Sequence, residues 1–166
     1  GHGLLVCKDA PQEKSDRLGD VPMITHVFHI HQHDWLVKAY INSDASDADL
    51  ILGDLWSVGA DMETMRLAFR NLRGGMKNTG LTYTSRWNRI TIMVVSESTS
   101  AEEFFNSLVH EMCHAQIHIC KYQGIDLESE EAAYFIGGLA RDLFPHVKHL
   151  LCESCREKVM SCRCGH

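Results

Sequence analysis

One long helix, predicted from Ala101 to about Lys121, constrains the fold of this chain more than any other feature. Apolar residues recur along it at helical spacing, at positions 104, 105, 108, 109, 112 and 115. Ser100 followed by Glu103 is a capping-box pattern that favours a helix start, and Gly124 is typical of a residue that ends a helix. The other elements of the chain are therefore expected to pack around this helix.

The segment from 108 to 115 of this helix reads LVHEMCHA. His110 and His114 are four residues apart, so both imidazoles leave the same face of the helix. Two neutral imidazoles on one face can hold a zinc ion, and Glu111 then lies beside the metal, where it can take a proton from a zinc-activated water. The pattern predicts His110 and His114 as metal ligands and Glu111 as a general base.

The remaining segments predict a mixture of strands and helices. Two β-rich runs, 24–30 and 35–41, flank the polar stretch HQHD, and two more, 81–85 and 89–95, flank RWN. The second pair predicts a hairpin, and the first predicts either a hairpin or one long bent strand. Further helices are expected at three places, with Pro145 ending the last one: about 46–58, from Asp61 to Gly74, and about 128–144. This order predicts an α+β fold with a small mixed sheet.

A catalytic zinc needs a third protein ligand, and the helix predicted after Gly124 begins with several carboxylates. A carboxylate in the first turns of a helix that packs against the histidine-bearing helix can reach the metal. Glu128, Glu130 and Glu131 are all candidates at this point, because the sequence does not fix the phase of the helix to within one residue.

The order of strands, His-Glu-x-x-His helix, turn and Glu-bearing helix resembles the zincin metallopeptidases, in particular the glutamate-ligand group, the gluzincins. In several of those families the ligand begins a Glu-x-x-Ala-(Asp/Asn) pattern. Glu130 to Ala133 match its first four positions, whereas Tyr134 replaces the acid or amide. The resemblance covers roughly residues 80 to 144 and selects Glu130 as the third ligand. It implies a zincin-like fold, a catalytic Zn²⁺ and a peptide or protein substrate, as in small metallopeptidases of bacteria and phages.

The segment from His110 to Ala115 also looks like the motif of the SprT-like metalloproteases. Those proteins usually take a third histidine from a later His-Gly pair, which does not follow the motif here, so the glutamate interpretation is preferred. The alternative to a peptidase is a non-catalytic zincin-fold protein that binds zinc in phage or bacterial assembly or regulation. The intact Glu111 argues against that alternative. Candidate donors to the oxyanion of a peptidase are Tyr83, His118 and Tyr134.

Composition and charge exclude several other classes of function. The 166 residues suffice for one ordinary domain. The formal net charge of -6 argues against a nucleic-acid partner, since such proteins need a basic face to neutralise phosphates. No apolar run is long enough to predict a membrane-spanning helix. The odd count of 7 cysteines does not suit a secreted disulfide framework and favours a reducing, cytoplasmic location.

The sequence divides into three predicted parts. Residues 1–20 are polar and irregular and are expected to be weakly ordered, residues 21–150 form the zincin-like domain, and residues 151–166 form a cysteine-rich tail. Closely spaced thiolate pairs such as those in the tail favour a structural metal, which predicts a possible second Zn²⁺. Its ligands would be Cys152, Cys155, Cys162 and Cys164.

Overall fold

A computed structural model describes residues 22–157, so the segment predicted to be weakly ordered lies outside the described residues. Four strands and five α-helices are found in this range. The strands are β1 (Ile24–Ile30), β2 (Trp35–Ser43), β3 (Gly80–Ser85) and β4 (Ile90–Ser96). The helices are α1 (Ala48–Ser57), α2 (Met62–Arg73), α3 (Ala101–Gln123), α4 (Glu130–Val147) and α5 (Glu153–Glu157).

The four strands form one mixed sheet in the order β1-β2-β4-β3. The pairs β1–β2 and β3–β4 are antiparallel hairpins, whereas β2 and β4 run parallel in the centre. The connection from β2 to β4 carries α1, α2 and the edge strand β3. The predictions of an α+β fold, of a small mixed sheet and of the hairpin 81–95 are confirmed, and the first β-rich pair also forms a hairpin.

Both faces of the two central strands are buried, because successive side chains of a strand point to opposite faces. On one face, Ala39 and Met93 pack against α3 and α4. On the other face, Tyr40 and Ile92 pack against α1 and α2. The sheet therefore lies between two helical layers, and α3 lies against β4 and the edge strand β3.

The ends of α3 follow the capping pattern of the sequence. The Ser100 side chain accepts a hydrogen bond from the Glu103 backbone N–H at 3.1 Å, which satisfies a donor that a helix leaves unpaired at its first turn. Gly124 ends the helix with φ 69°, in the left-handed region that glycine adopts without a steric penalty. These two residues fix the length of the helix that carries the histidines.

Pro145 does not stop α4, contrary to the sequence prediction. The helix begins after the N-cap Ser129 and continues to Val147, with Pro145 in its last turn. Proline removes one hydrogen bond of the helix. However, Leu143, Val147 and Leu150 are all buried in the core beside α3, and this burial holds the chain helical past the proline.

The segment after α4 packs back onto the beginning of α3. The Arg156 guanidinium donates to the Ser98 carbonyl at 2.5 Å, and the Glu153 carboxylate accepts from the Ala101 backbone N–H. The first residues of the predicted cysteine-rich tail thus lie against the start of the histidine-bearing helix. Within residues 22–157, no helix has the length and apolar character that crossing a membrane requires.

Candidate metal and catalytic site

His110 and His114 lie side by side on the stripe of α3 that borders the edge strand β3. Their Nε2 atoms are 3.1 Å apart, and the His110 side chain is 66% exposed, so solvent reaches the pair. At this separation either one ring donates a hydrogen bond to the other, or both lone pairs are directed at one cation. The structure therefore brings together the two residues that the motif predicts as ligands.

The separation of the two nitrogens suits a zinc ion. Two Zn–N bonds of about 2.0–2.1 Å that meet at a tetrahedral angle place their nitrogens about 3.4 Å apart. The observed 3.1 Å differs from this by a few tenths of an ångström, which a small rotation of either ring supplies. His110 and His114 thus fit as two ligands of one zinc.

Glu111 lies between the histidine pair and β3 and is only 5% exposed. Its Oε2 accepts a hydrogen bond from the Thr82 hydroxyl at 2.6 Å, and its Oε1 lies 3.9 Å from Nε2 of His110. Burial raises the pKa of Glu111, and the opposing effects of the Thr82 hydrogen bond and of the two histidines offset this rise only in part. A buried carboxylate with a raised pKa, beside a pair of histidines, is suited to accept and return a proton.

Gly80 makes room for the Glu111 side chain. A Cβ added at Gly80 would lie 2.6 Å from Cγ and 2.7 Å from both Cδ and Oε1 of Glu111, which is closer than side chains approach. Any residue other than glycine at this position must therefore displace the carboxylate. Glycine at the start of β3 therefore allows the Glu111 side chain, the candidate general base, to lie directly against the strand.

His118 lies one turn beyond His114 on the same stripe, with the two ring centroids 6.0 Å apart. Its Nδ1 is hydrogen-bonded to the Thr84 hydroxyl at 3.0 Å. That hydroxyl is 3.0 Å from the Thr91 hydroxyl, which accepts from the Trp35 indole N–H at 3.0 Å. A chain of hydrogen bonds thus links His118 to the buried centre of the sheet. Burial, His114 and Lys121 lower the pKa of His118, which favours its neutral form.

The contributions of Gly80, Thr82 and Thr84 are not identified by sequence motifs. These residues alternate along β3 and face α3, whereas Leu81 and Tyr83 pack in the opposite layer. A glycine or a threonine at every second position of an otherwise apolar strand is the signal in the sequence. This alternation can be assigned to the site only once β3 is known to lie beside α3.

The structure does not bring Glu130 to the histidine pair. α4 packs on the flank of α3 that carries Gln116, whose side-chain N–H donates to the Ala132 carbonyl at 2.8 Å. Gln116 is two residues beyond His114, and residues two apart in a helix point about 200° away from each other around its axis. The beginning of α4 therefore lies on the side of α3 that faces away from the histidines.

Glu130 and Glu131 instead line a groove of about 840 Å³ between α4 and the turn 31–33. Oε1 of Glu131 lies 4.0 Å from Nε2 of His33. In the part of the chain that the structure describes, no three or more His, Cys, Asp or Glu side chains are grouped so that they could hold a metal. Glu130 as a third ligand, with Glu128 and Glu131 as alternatives, stays a prediction.

Two of the three candidate oxyanion donors lie away from the histidine pair. The Tyr83 hydroxyl donates to the Gly59 carbonyl at 3.0 Å in the opposite layer, and Tyr134 is 77% exposed in the groove beside Glu130. Of the three, His118 alone borders the histidine pair. The geometry therefore reduces the three candidates to one.

The cysteine-rich tail is described only in part. No disulfide joins Cys152 and Cys155 to each other or to another described cysteine, and a hydrogen bond from the Cys155 backbone is the main cause that lowers the pKa of Cys152. Cys162 and Cys164 lie outside the described residues, so the predicted four-cysteine zinc site stays a prediction.

Comparisons of this chain with protein-family models, with curated proteins and with solved structures give no match.

Proposed function

We propose that this protein is a zinc-dependent metallopeptidase with a zincin-like fold. The observation that carries the proposal is the paired arrangement of His110 and His114, with Nε2 atoms 3.1 Å apart, beside the buried Glu111 carboxylate. An accessible pair of imidazoles explains metal binding, but it does not explain why a carboxylate is buried next to it. A general base does explain it, because its proton affinity must be raised and its position fixed.

The roles of the side chains follow from their positions. When bound, zinc would supply Lewis-acid polarisation of a water and of the scissile carbonyl. Glu111 accepts the proton of the attacking water and passes it to the leaving amine. Thr82 holds the Glu111 carboxylate through its 2.6 Å hydrogen bond, which fixes the direction from which the proton is taken. The edge strand β3 offers unpaired backbone groups with which an extended peptide can pair.

The third ligand is proposed from the resemblance, and Glu130 is its candidate. Its location in the groove beside the turn 31–33 means that the first turn of α4 has to shift for Glu130 to reach the ion. We also propose a reducing, cytoplasmic compartment. The odd count of 7 cysteines, which does not suit a secreted disulfide framework, supports this proposal.

The direct test is the variant Glu111→Gln in the full chain. We expect wild-type protein to bind about one zinc per chain at the histidine pair and to cleave members of a quenched-fluorescent peptide library. Glu111→Gln should keep that zinc, measured by elemental analysis, and lose at least about 10²-fold in rate, because general-base catalysis contributes this much or more.

Glu102→Gln is the matched control, since it removes a carboxylate from an exposed position of the same helix. It should leave both the zinc content and the rate unchanged. Wild-type protein that binds zinc but cleaves no peptide would favour the non-catalytic alternative. Retained hydrolysis by Glu111→Gln would contradict the role of the carboxylate while leaving the metal site standing.

A further inference from the structure

The hydrogen bonds that end at His118 favour one of its two ring nitrogens as the position of the proton. The indole N–H of Trp35 can only donate, so the Thr91 hydroxyl oxygen is its acceptor. Thr91 is 0% exposed, and its own hydroxyl hydrogen therefore cannot reach water. The Thr84 oxygen, 3.0 Å away, is the acceptor within reach. In these two hydrogen bonds the donor is thus the residue nearer the core: Trp35 donates to Thr91, and Thr91 donates to Thr84.

Because the Thr84 oxygen accepts from Thr91, the Thr84 hydroxyl hydrogen is free to donate, and Nδ1 of His118 lies 3.0 Å from it. If Nδ1 carried the proton instead, Thr84 would accept twice and its own hydrogen would be left without a partner in this chain. Both threonine hydroxyl hydrogens find acceptors within this set of hydrogen bonds only when Nδ1 of His118 accepts, which favours the neutral tautomer with its proton on Nε2.

We infer that His118 is a catalytic residue of the proposed peptidase: held as the Nε2–H tautomer by Thr84, it donates a hydrogen bond to the oxyanion that forms from the scissile carbonyl. This inference rests on the proposed function. In this tautomer Nδ1 accepts a hydrogen bond and Nε2 carries the proton, so the ring offers the site a donor rather than a free lone pair for a metal.

The position of the ring suits this role. His118 follows His114 by one helical turn, with a ring separation of 6.0 Å, and it lies on the same side of α3 as the edge strand. A donor that the fold holds in place before the charge develops costs no reorganisation during the reaction. The threonine chain supplies this preorganisation, since it anchors the ring from the nitrogen that faces the sheet.

Two independent measurements test the inference on the full-length chain. Long-range ¹H–¹⁵N correlation spectra of the imidazoles should show His118 as the Nε2–H tautomer in wild-type protein, and Thr84→Val should abolish this preference. In peptide hydrolysis, His118→Gln should lower kcat by about 10²–10³-fold, the usual effect of removing one oxyanion donor. KM and the zinc content should stay within about twofold of wild type, because the interaction is made only in the transition state.

His29→Gln is the control, since it removes a histidine from β1 at the opposite edge of the sheet. An unchanged kcat in His118→Gln, or an Nδ1–H tautomer in wild type, would overturn the inference and leave the proposed function intact. Loss of zinc in His118→Gln would overturn it by assigning His118 as a ligand. If wild-type protein binds zinc and cleaves nothing, the proposed function fails and the role of His118 fails with it, whereas the tautomer result stands by itself.

Discussion

A single methyl group at Gly80 should disable the proposed reaction without removing the metal site. The Cβ of Gly80→Ala would lie 2.6 Å from Cγ of Glu111, whereas non-bonded carbon atoms rest about 3.5–4.0 Å apart. The Glu111 side chain must therefore move by about 1 Å. A displacement of this size in a reacting group costs about 10²-fold in rate. We expect kcat for peptide hydrolysis to fall by that factor.

The fold should tolerate this substitution. The group that must give way is the end of a flexible side chain, and alanine in a strand is more favourable than glycine by about 0.5–1 kcal/mol. The free energy of unfolding of Gly80→Ala, measured by urea denaturation, is therefore expected within about 1 kcal/mol of wild type. Zinc content should be unchanged, because the three heavy atoms nearest to the added methyl group all belong to Glu111 and none to a histidine.

Gly53→Ala provides the control for glycine replacement. Gly53 lies in α1 on the other side of the sheet, and a Cβ there meets nothing within 4 Å. Its activity should equal that of wild type. Wild-type activity in Gly80→Ala would refute the argument that the carboxylate is held against β3, and loss of zinc or of the fold would show that the effect does not act through Glu111.

Three further outcomes can be checked on the same protein. Asp54→Asn should lower the free energy of unfolding by about 1–2 kcal/mol at pH 7, since it removes the carboxylate that pairs with Lys38. Burial raises the pKa of Asp54, but the hydrogen bonds from Lys38 and Tyr40 outweigh it and lower the pKa below its usual value. This stability is therefore present above about pH 4 and is lost as the pH falls through the lower folded-state pKa, where the stabilities of the variant and of wild type should converge. Gly124→Ala should cost about 1–2 kcal/mol in the same assay, because φ of 69° strains a Cβ although no atom lies within 4 Å of it, and an equal stability would contradict this. His110→Ala should abolish zinc retention in dialysis against a weak chelator; zinc retained at the wild-type level would exclude the pair as its ligands.

The parts of the site that depend on local spacing were predictable from the sequence. Helical periodicity alone sets His110 and His114 on one face, and the structure brings their Nε2 atoms together as the four-residue spacing requires. The ends of α3 were predictable for the same reason, since the caps Ser100 and Gly124 interact with residues close to them in the sequence.

The parts that depend on contacts between distant segments were not predictable. The contact of Gly80 with Glu111 joins residues 31 positions apart, and it exists because the edge strand happens to lie beside α3. The residue at which α4 ends is likewise decided by contacts between distant segments. Proline chemistry predicts a stop at Pro145, but burial of Val147 and Leu150 against the rest of the core prevails over this local preference.

The position of the third ligand also depends on contacts between distant segments, and an experiment can decide it. A match to Glu-x-x-Ala selects a residue on α4, but only the packing of α4 on α3 decides on which side of the histidines that residue lies. With the Gln116 side chain bonded to the Ala132 carbonyl, the first turn of α4 lies on the far flank. If Glu130 is a ligand, zinc binding must break this bond and reorganise the first turn of α4.

Glu130 as the ligand therefore makes two linked predictions. Glu130→Gln should weaken zinc binding by at least about tenfold, whereas Glu128→Gln and Glu131→Gln should not, since losing one ligand costs more than losing the 10–100-fold support of an outer-shell partner. Zinc should also change amide hydrogen exchange at the start of α4 in wild-type protein. Unchanged exchange together with wild-type affinity in all three variants would exclude these three glutamates as the third ligand.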